Sequence, residues 1–129
     1  MVAARMIVSI LDTNVLVRFF VGDNNTQKEK AAQWLKAAAE GKRVLVLTPI
    51  VIAETSFVLE SFYKLPRDTI ADALEVFVSQ RWLDVRDRAP LAHLWPLYRK
   101  GFHFVDSYLR AWISMHGGEL MTFDKKLMR

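Results

Sequence analysis

The feature that most constrains the fold is a continuous apolar run at residues 6–11, MIVSIL, which is followed directly by Asp12. Six residues suit a strand, whereas a membrane span needs about 20. A short apolar run without polar alternation is typical of a strand buried on both faces of a parallel sheet. The sequence therefore opens with a predicted buried strand that has an acid at its carboxyl end.

Strand-like and helical patterns alternate along the rest of the chain. Gly22 is the predicted end of the first helix, and Thr26 with Glu29 forms a capping box for the second. Thr48 and Pro49 start a helix that runs to about Ser61. The predicted strands cover residues 6–11, 44–47, 82–85 and 119–123. The predicted helices cover residues 15–21, a segment from 26 to Gly41, 49–61, a segment after Pro66, a segment from about Pro90 that bends at Pro96, and residues 104–115.

This alternation predicts an α/β fold. We expect one three-layer α/β/α domain over residues 1–129, built on a parallel sheet of four or five strands. The length suits a single domain, and 52% hydrophobic against 25% charged residues indicates a globular chain.

Several classes of protein are disfavoured by composition. The chain has no cysteine, which excludes disulfides, thiolate catalysis and zinc sites built on sulfur. Arg5 interrupts the first apolar stretch, which argues against a signal peptide, and no apolar run is long enough to span a membrane. A cytoplasmic protein is expected, and any metal ion would be held by oxygen ligands or by histidine.

Two acids follow predicted strands directly: Asp12 after MIVSIL, and Asp124 after ELMTF. Ligands of an open α/β sheet bind beyond the carboxyl ends of its strands. The alternative for each residue is a purely structural role as a helix cap.

Two further acids share helix faces with apolar residues. Glu54 has Ile50 and Phe57 at helical spacing, which predicts an inward-facing carboxylate that needs an ion pair or a cation. Asp106 repeats this pattern, and its structural alternative is a helix N-terminal charge or an ion pair with Arg110 one turn later.

Four carboxylates that converged without a counter-ion would repel one another, at on the order of 4 kcal/mol for one pair about 4 Å apart in a dielectric of about 20. A divalent cation would remove that repulsion. Oxygen ligands without cysteine or clustered histidine favour Mg²⁺ or Mn²⁺ over zinc, and such ions support phosphodiester hydrolysis. Without these four acids the chain has 18 basic and 10 acidic residues, a net charge of +8 that suits a phosphodiester backbone.

The motifs around the four acids resemble those of one family. The string Leu11-Asp12-Thr13-Asn14-Val15-Leu16 is similar to the opening of PIN-domain nucleases. Glu54 lies in a helix where that family carries its second acid, Phe104-Val105-Asp106 resembles its third motif, and Met121-Thr122-Phe123-Asp124-Lys125 resembles its fourth. The four motifs occur in order over nearly the whole chain, and the compact length is most similar to VapC-type toxins of toxin–antitoxin pairs.

The resemblance implies an endoribonuclease that hydrolyses RNA with a metal-bound water. Asp12 and Asp106 would bind the ion directly, Glu54 and Asp124 directly or through water, and Asn14 and Thr122 would orient carboxylates or water from outside that set. It also implies a small antitoxin as partner, whose C-terminal segment fills the active-site groove, and a homodimer.

The chain departs from the family's pattern in two respects. His103 stands where many relatives have another acid, and relatives often continue into one more strand where this chain ends at Arg129.

Two other functions fit parts of the pattern. A phosphatase with Asp12 as nucleophile would usually carry a second Asp two residues later, and Asn14 stands there. A PIN-like module that binds RNA or protein without cleaving is the other alternative, although all four acids are present. The three histidines are too dispersed to form a ligand set, and the four tryptophans are expected mostly in the core.

Overall fold

A computed structural model describes residues 6–124 of the chain. Strands and helices alternate through the first two thirds of this range, and helices follow. In chain order the elements are β1 Ile7–Ile10, α1 Thr13–Val21, α2 Asn25–Ala39, β2 Arg43–Leu47, α3 Pro49–Ser61, α4 Arg67–Val78, β3 Leu83–Val85, α5 Arg88–His93, α6 Trp95–Arg99 and α7 Phe104–His116.

The strands form a parallel sheet in the order β1-β2-β3. Ile7 pairs with Arg43 between the first two strands, and Leu45 pairs with Leu83 between the second and third. Parallel strands need long crossover connections, which α1 and α2 provide before β2, and α3 and α4 before β3. The predicted α/β class with a parallel sheet is confirmed, but the predicted strand number is wrong for residues 6–124, which contain three strands.

Strand β1 was predicted to be buried on both faces, and this prediction is wrong for residues 6–124. The side chains of Ile7, Val8 and Ile10 are 64%, 64% and 66% exposed, because β1 lies at one edge of the sheet and its main packing partner within residues 6–124 is β2 rather than a helix. Residues 119–123, which were predicted as a further strand, are irregular. Strand propensity depends on an adjacent strand as hydrogen-bond and packing partner, so a five-residue pattern alone does not determine pairing.

Local end signals account for most helix boundaries. Gly22 ends α1 in the left-handed region, with φ of 71°. Thr48 Oγ1 accepts a hydrogen bond from Val51 N at 3.3 Å at the start of α3, as predicted. The cap predicted for α2 is wrong: Asn24 Oδ1 accepts from Gln27 N at 3.0 Å, so Asn24 starts this helix and Thr26 lies in its first turn.

Proline and aromatic packing shape the last helices. The helix predicted to bend at Pro96 is two short helices, α5 and α6, which meet at Leu94. Trp95 and Tyr98 of α6 are fully buried, and the Trp95 ring packs edge-on against Phe104 of α7 at a centroid distance of 5.8 Å. Helix α3 contacts both α1 and α7, so the elements that carry or follow the first three predicted acids are neighbours.

No helix within residues 6–124 has the length and apolar character that crossing a membrane requires.

Candidate active site

Asp12 lies between β1 and α1. Leu11 N donates to Val46 O at 2.9 Å, which continues the β1–β2 ladder up to Asp12, and Asp12 O accepts from Val15 N at 3.0 Å in the first turn of α1. The backbone of Asp12 is therefore the helix cap, whereas its exposed side chain forms no capping hydrogen bond. The structural role proposed as the alternative for this carboxylate is not observed.

Glu54 is exposed, which corrects the prediction that it faces inward. The buried face of α3 carries Ile52, Thr55, Ser56 and Leu59. The hydroxyls of Thr55 and Ser56 are satisfied by carbonyl oxygens of the preceding turn, at 2.7 and 2.8 Å, which makes this polar pair compatible with the core. Apolar residues occur on all sides of α3, so its sequence does not identify which face is buried. The structural alternative for Glu54, a buried ion pair, is not observed, since Glu54 forms no ion pair within residues 6–124.

Asp106 lies half-buried in the first turn of α7. An acid here interacts favourably with the helix N-terminus. Within residues 6–124, Asp106 makes no ion pair with Arg110, although that pair had the right spacing. The buried face of this helix carries Phe104, Ser107 and Ala111 instead.

Asp124 is exposed and is the last residue that the structure describes. Its backbone N–H donates to Thr122 Oγ1 at 3.0 Å, so Thr122 orients the main chain at Asp124. Lys125, which completes the fourth motif, lies outside the described residues.

The four acids are not assembled around one point in this structure. Within residues 6–124, no three acidic or histidine side chains are grouped so that they could hold a metal ion. The four-carboxylate site therefore stays a prediction.

Other carboxylates have structural roles, and they differ from the first three predicted site acids in having arginine or tyrosine partners within residues 6–124. Asp23 accepts from Tyr63 Oη at 2.8 Å and pairs with Arg18 at 2.9 Å, and the hydrogen bond from Tyr63, followed by Arg18, lowers the pKa of Asp23. Glu60 pairs with Arg67 at 3.0 Å. Burial and the Glu60 carboxylate raise the pKa of Tyr98 to about 12. Acids with structural roles are therefore bound to arginine and tyrosine, whereas the side chains of Asp12, Glu54 and Asp106 have no such partner among residues 6–124.

The family model for the PIN domain matches residues 9–129, nearly the whole chain. The chain belongs to the PIN-domain family. No curated protein and no solved structure gives a match. PIN domains are typically metal-dependent nucleases, so family membership supports a hydrolase that uses a divalent ion.

The side chains of this PIN domain suit such an ion chemically. The predicted donors are carboxylate oxygens, and the chain has no cysteine to favour a softer metal. The carboxylates of Asp12 and Glu54 are exposed and have no hydrogen-bond or ion-pair partner within residues 6–124, so binding an ion would break no existing side-chain contact. Exposed carboxylate oxygens are the kind of donor that hard divalent ions take.

Sequence reasoning missed one feature beside Asp12. Asn14, exposed in the first turn of α1, lines a cavity of about 200 Å³ between α1 and α2. Gln27, Lys30 and Trp34 line it from α2, at the spacing of one helix face. That spacing was visible in the sequence, but the tryptophans were expected mostly in the core, whereas Trp34 is half-buried.

Proposed function

We propose that this PIN domain is a Mg²⁺- or Mn²⁺-dependent endoribonuclease. The observation that carries the proposal is the Asp12 carboxylate, which follows the first strand, faces solvent and forms no capping bond. A carboxylate kept at a sheet's carboxyl edge without a structural partner suits a ligand-binding role. Family membership supports the nuclease activity, and the resemblance of the four motifs to those of PIN ribonucleases supports RNA as the substrate.

The residues have separate roles in this proposal. When bound, the divalent ion supplies an activated water and charge stabilisation for hydrolysis of the phosphodiester. Asp12 and Asp106 hold it directly, and Glu54 and Asp124 complete the set directly or through water. Asn14 and Thr122 orient these groups by hydrogen bonding. The basic remainder of the chain, at a net charge of +8, attracts the RNA backbone.

The test is cleavage of a mixed cellular RNA pool with Mn²⁺ by wild type and by Asp12→Ala. We expect Asp12→Ala to abolish cleavage, because losing a ligand to the ion typically removes several kcal/mol of transition-state stabilisation. RNA binding should persist, since basic residues make most phosphate contacts. EDTA should silence the wild type to the same degree. Cleavage by the folded variant at the wild-type rate, checked by circular dichroism, or cleavage that persists in EDTA, would contradict the mechanism.

One observation favours a second function, a PIN-like module that binds RNA without cleaving it. The acids are not grouped for metal binding within residues 6–124. Metal titration distinguishes the two functions: a nuclease should gain thermal stability with Mg²⁺ or Mn²⁺, because an ion bound to the native state stabilises it. That gain should vanish when all four acids become Asn or Gln. An equal gain in the quadruple variant would locate the ions elsewhere.

The biological role that we propose is that of a cytoplasmic toxin paired with a small antitoxin. The compact single domain and its VapC-like motifs support this role. Expression of the chain alone should arrest growth, and co-expression of an adjacent small reading frame should restore it. Unaffected growth despite soluble, intact protein would contradict the toxin role and leave the nuclease chemistry open.

We also propose a homodimer. Ile50 and Phe57 of α3 and Val105 of α7 are 81%, 67% and 54% exposed, and α3 packs against α7. A large exposed apolar surface is typical of an interface. Phe57→Lys should convert a dimer to a monomer in light scattering, and an unchanged mass would exclude this face.

A further inference from the structure

The cavity between α1 and α2 has an unusual combination of walls for a gap between two helices. Val15 and Ala31 are its aliphatic lining residues, and the others are polar, cationic or aromatic. Among residues 6–124, no acid lines the cavity, which suits an anionic chain. Its lining residues in this range are Asn14, Val15, Arg18, Gln27, Lys30, Ala31 and Trp34.

The cavity extends toward Asp12. Residues 22–24 join α1 to α2, and Arg18 Nε contacts Gln27 Oε1 at 2.7 Å, so the two helices run antiparallel. Trp34 lies seven residues beyond Gln27, or about 10 Å along the helix at about 1.5 Å per residue. Trp34 therefore lies at the level of the start of α1, which Asp12 caps.

One wall is held rigidly. The Arg18 guanidinium donates to Gln27, to Asp23 at 2.9 Å and to Tyr63 Oη at 3.2 Å. Asp23 also accepts from Tyr63, which closes the network. Because Arg18 occupies the Gln27 amide oxygen, the amide nitrogen is the group that Gln27 can offer to a ligand as a donor. A wall fixed before binding loses little conformational entropy on binding.

The other wall offers an aromatic face and a cation. Lys30 Nζ lies 5.6 Å from the centroid of the Trp34 ring. Within residues 6–124, Lys30 forms no ion pair, so its ammonium can pair with a phosphate. Asn14 adds an exposed amide that can both donate and accept, as the edge of a base requires. An aromatic face, amide groups and a cation together are what proteins use to hold an unstacked base of single-stranded RNA.

We propose that this cavity binds one unpaired RNA base next to the phosphate that is cleaved, with the base stacked on Trp34. The proposal rests on the proposed ribonuclease function and makes Trp34 and Gln27 determinants of where the RNA is cut. A volume of about 200 Å³ admits one base and no longer segment.

The experiment measures binding separately from cleavage. Fluorescent single-stranded RNAs, each with one abasic position, are titrated by anisotropy into Asp12→Ala protein with or without Trp34→Leu. Stacking on an aromatic residue is worth on the order of a 5- to 150-fold change in affinity. We expect Trp34→Leu to weaken binding of intact RNA by this factor. At one abasic position, loss of the base should cost at least as much, because it also removes the hydrogen bonds to Gln27 and Asn14, and Trp34→Leu should then add nothing.

Two matched controls keep the result specific. Trp112→Leu removes a tryptophan that is 38% exposed on α7 and should leave binding unchanged. Lys30→Gln should weaken binding, whereas Lys28→Gln should have a smaller effect, since Lys28 lies on the same helix but does not line the cavity. If Trp34→Leu does not fold, the comparison of Lys30→Gln with Lys28→Gln still tests the cavity, because both lysines are exposed and their substitution should not disturb the fold.

The outcomes separate this inference from the proposed function. If the wild type cuts RNA in an Asp12-dependent way but Trp34→Leu weakens intact and abasic RNA equally, Trp34 has a structural role and the inference is wrong. Equal effects of the two lysine variants, or unchanged binding by folded Trp34→Leu, would also overturn it. If the effects of Trp34→Leu and of one abasic position on affinity are coupled but no metal-dependent cleavage occurs, the base-binding site is supported and the nuclease function is contradicted.

Discussion

Two glutamates on α3 have opposite surroundings. Glu60 pairs with Arg67, accepts a hydrogen bond from Tyr98 Oη at 3.2 Å, and so ties α3 to α4 and α6. Glu54, six residues earlier, is exposed and has no ion-pair partner within residues 6–124. Two chemically identical side chains on one helix thus have different structural roles: Glu60 connects three helices, and Glu54 connects none within residues 6–124. The difference suggests that the carboxylates free of arginine are the ones available for chemistry.

Neutralising each glutamate in turn tests whether Glu54 acts in cleavage and Glu60 in stability. Glu54→Gln should lower RNA cleavage by about 100-fold or more, because it removes a charge from the proposed metal-binding set. Glu60→Gln should leave cleavage within about threefold and instead lower stability by about 1–2 kcal/mol. Initial cleavage rates and urea unfolding of both variants measure the two effects. Equal loss of activity in both would mean that the distinction has no functional meaning.

A second test concerns the cost of removing the partner of Glu60. Arg67 also donates to Tyr98 O at 3.0 Å, and its guanidinium lies 4.3 Å from the Tyr98 ring centroid. Arg67→Ala should lower the free energy of unfolding by about 2–4 kcal/mol, because it leaves a partly buried carboxylate and carbonyls unpaired. Arg86→Ala, which breaks the exposed pair with Asp84, should cost less than about 0.5 kcal/mol. Similar losses would show that burial does not distinguish the pairs.

The Glu60 cluster should also respond to alkaline pH. Burial, then the Glu60 carboxylate, raises the pKa of Tyr98 to about 12, above the value of about 10 for an unfolded chain. The stabilisation is therefore complete below about pH 10 and is lost as the pH rises toward 12. Between about pH 9 and pH 11.5, wild type should lose about 1–2 kcal/mol more than Tyr98→Phe in urea unfolding. Parallel losses would place the Tyr98 pKa near 10.

Neutralising the acids that have no arginine partner within residues 6–124 should change the free energy of unfolding very little. Without metal, Asp12→Asn should leave stability unchanged within about 0.5 kcal/mol, since its side chain makes no capping bond. Asp106→Asn should lower stability by no more than about 1 kcal/mol, because it removes only a favourable interaction with the N-terminus of α7. Thermal unfolding in EDTA measures this. If both variants lost about 2 kcal/mol or more, these acids would be structural after all.

The sequence predicted best what local chemistry determines. Gly22 at the end of α1 and the Thr48-Pro49 start of α3 were correct, because a cap satisfies backbone groups within a few residues. The start of α2 was misplaced because Asn24 and Thr26 can both cap, and only the structure shows which one does.

Errors occurred where the outcome depends on distant parts of the chain. Glu54 was assigned inward because apolar residues flank it, yet Ile52 and Leu59 form the buried side of α3. Residues 119–123 were predicted as a strand from composition alone, although a strand needs a paired neighbour. Likewise, Asp12 could be predicted at the end of β1, but the spacing among four acids on separate elements could not.

The parallel ladders have a consequence for how quickly the chain folds. Ile7 pairs with Arg43, 36 residues later, and Leu45 pairs with Leu83, 38 residues later. Closing loops of this length costs chain entropy before any ladder bond compensates for it. The helices inside each loop shorten the distance that the strand ends must search. We therefore expect the stability of α1 and α2 to influence the folding rate, so that replacing an intrinsic helix former of α2 such as Ala37 with Gly should slow folding.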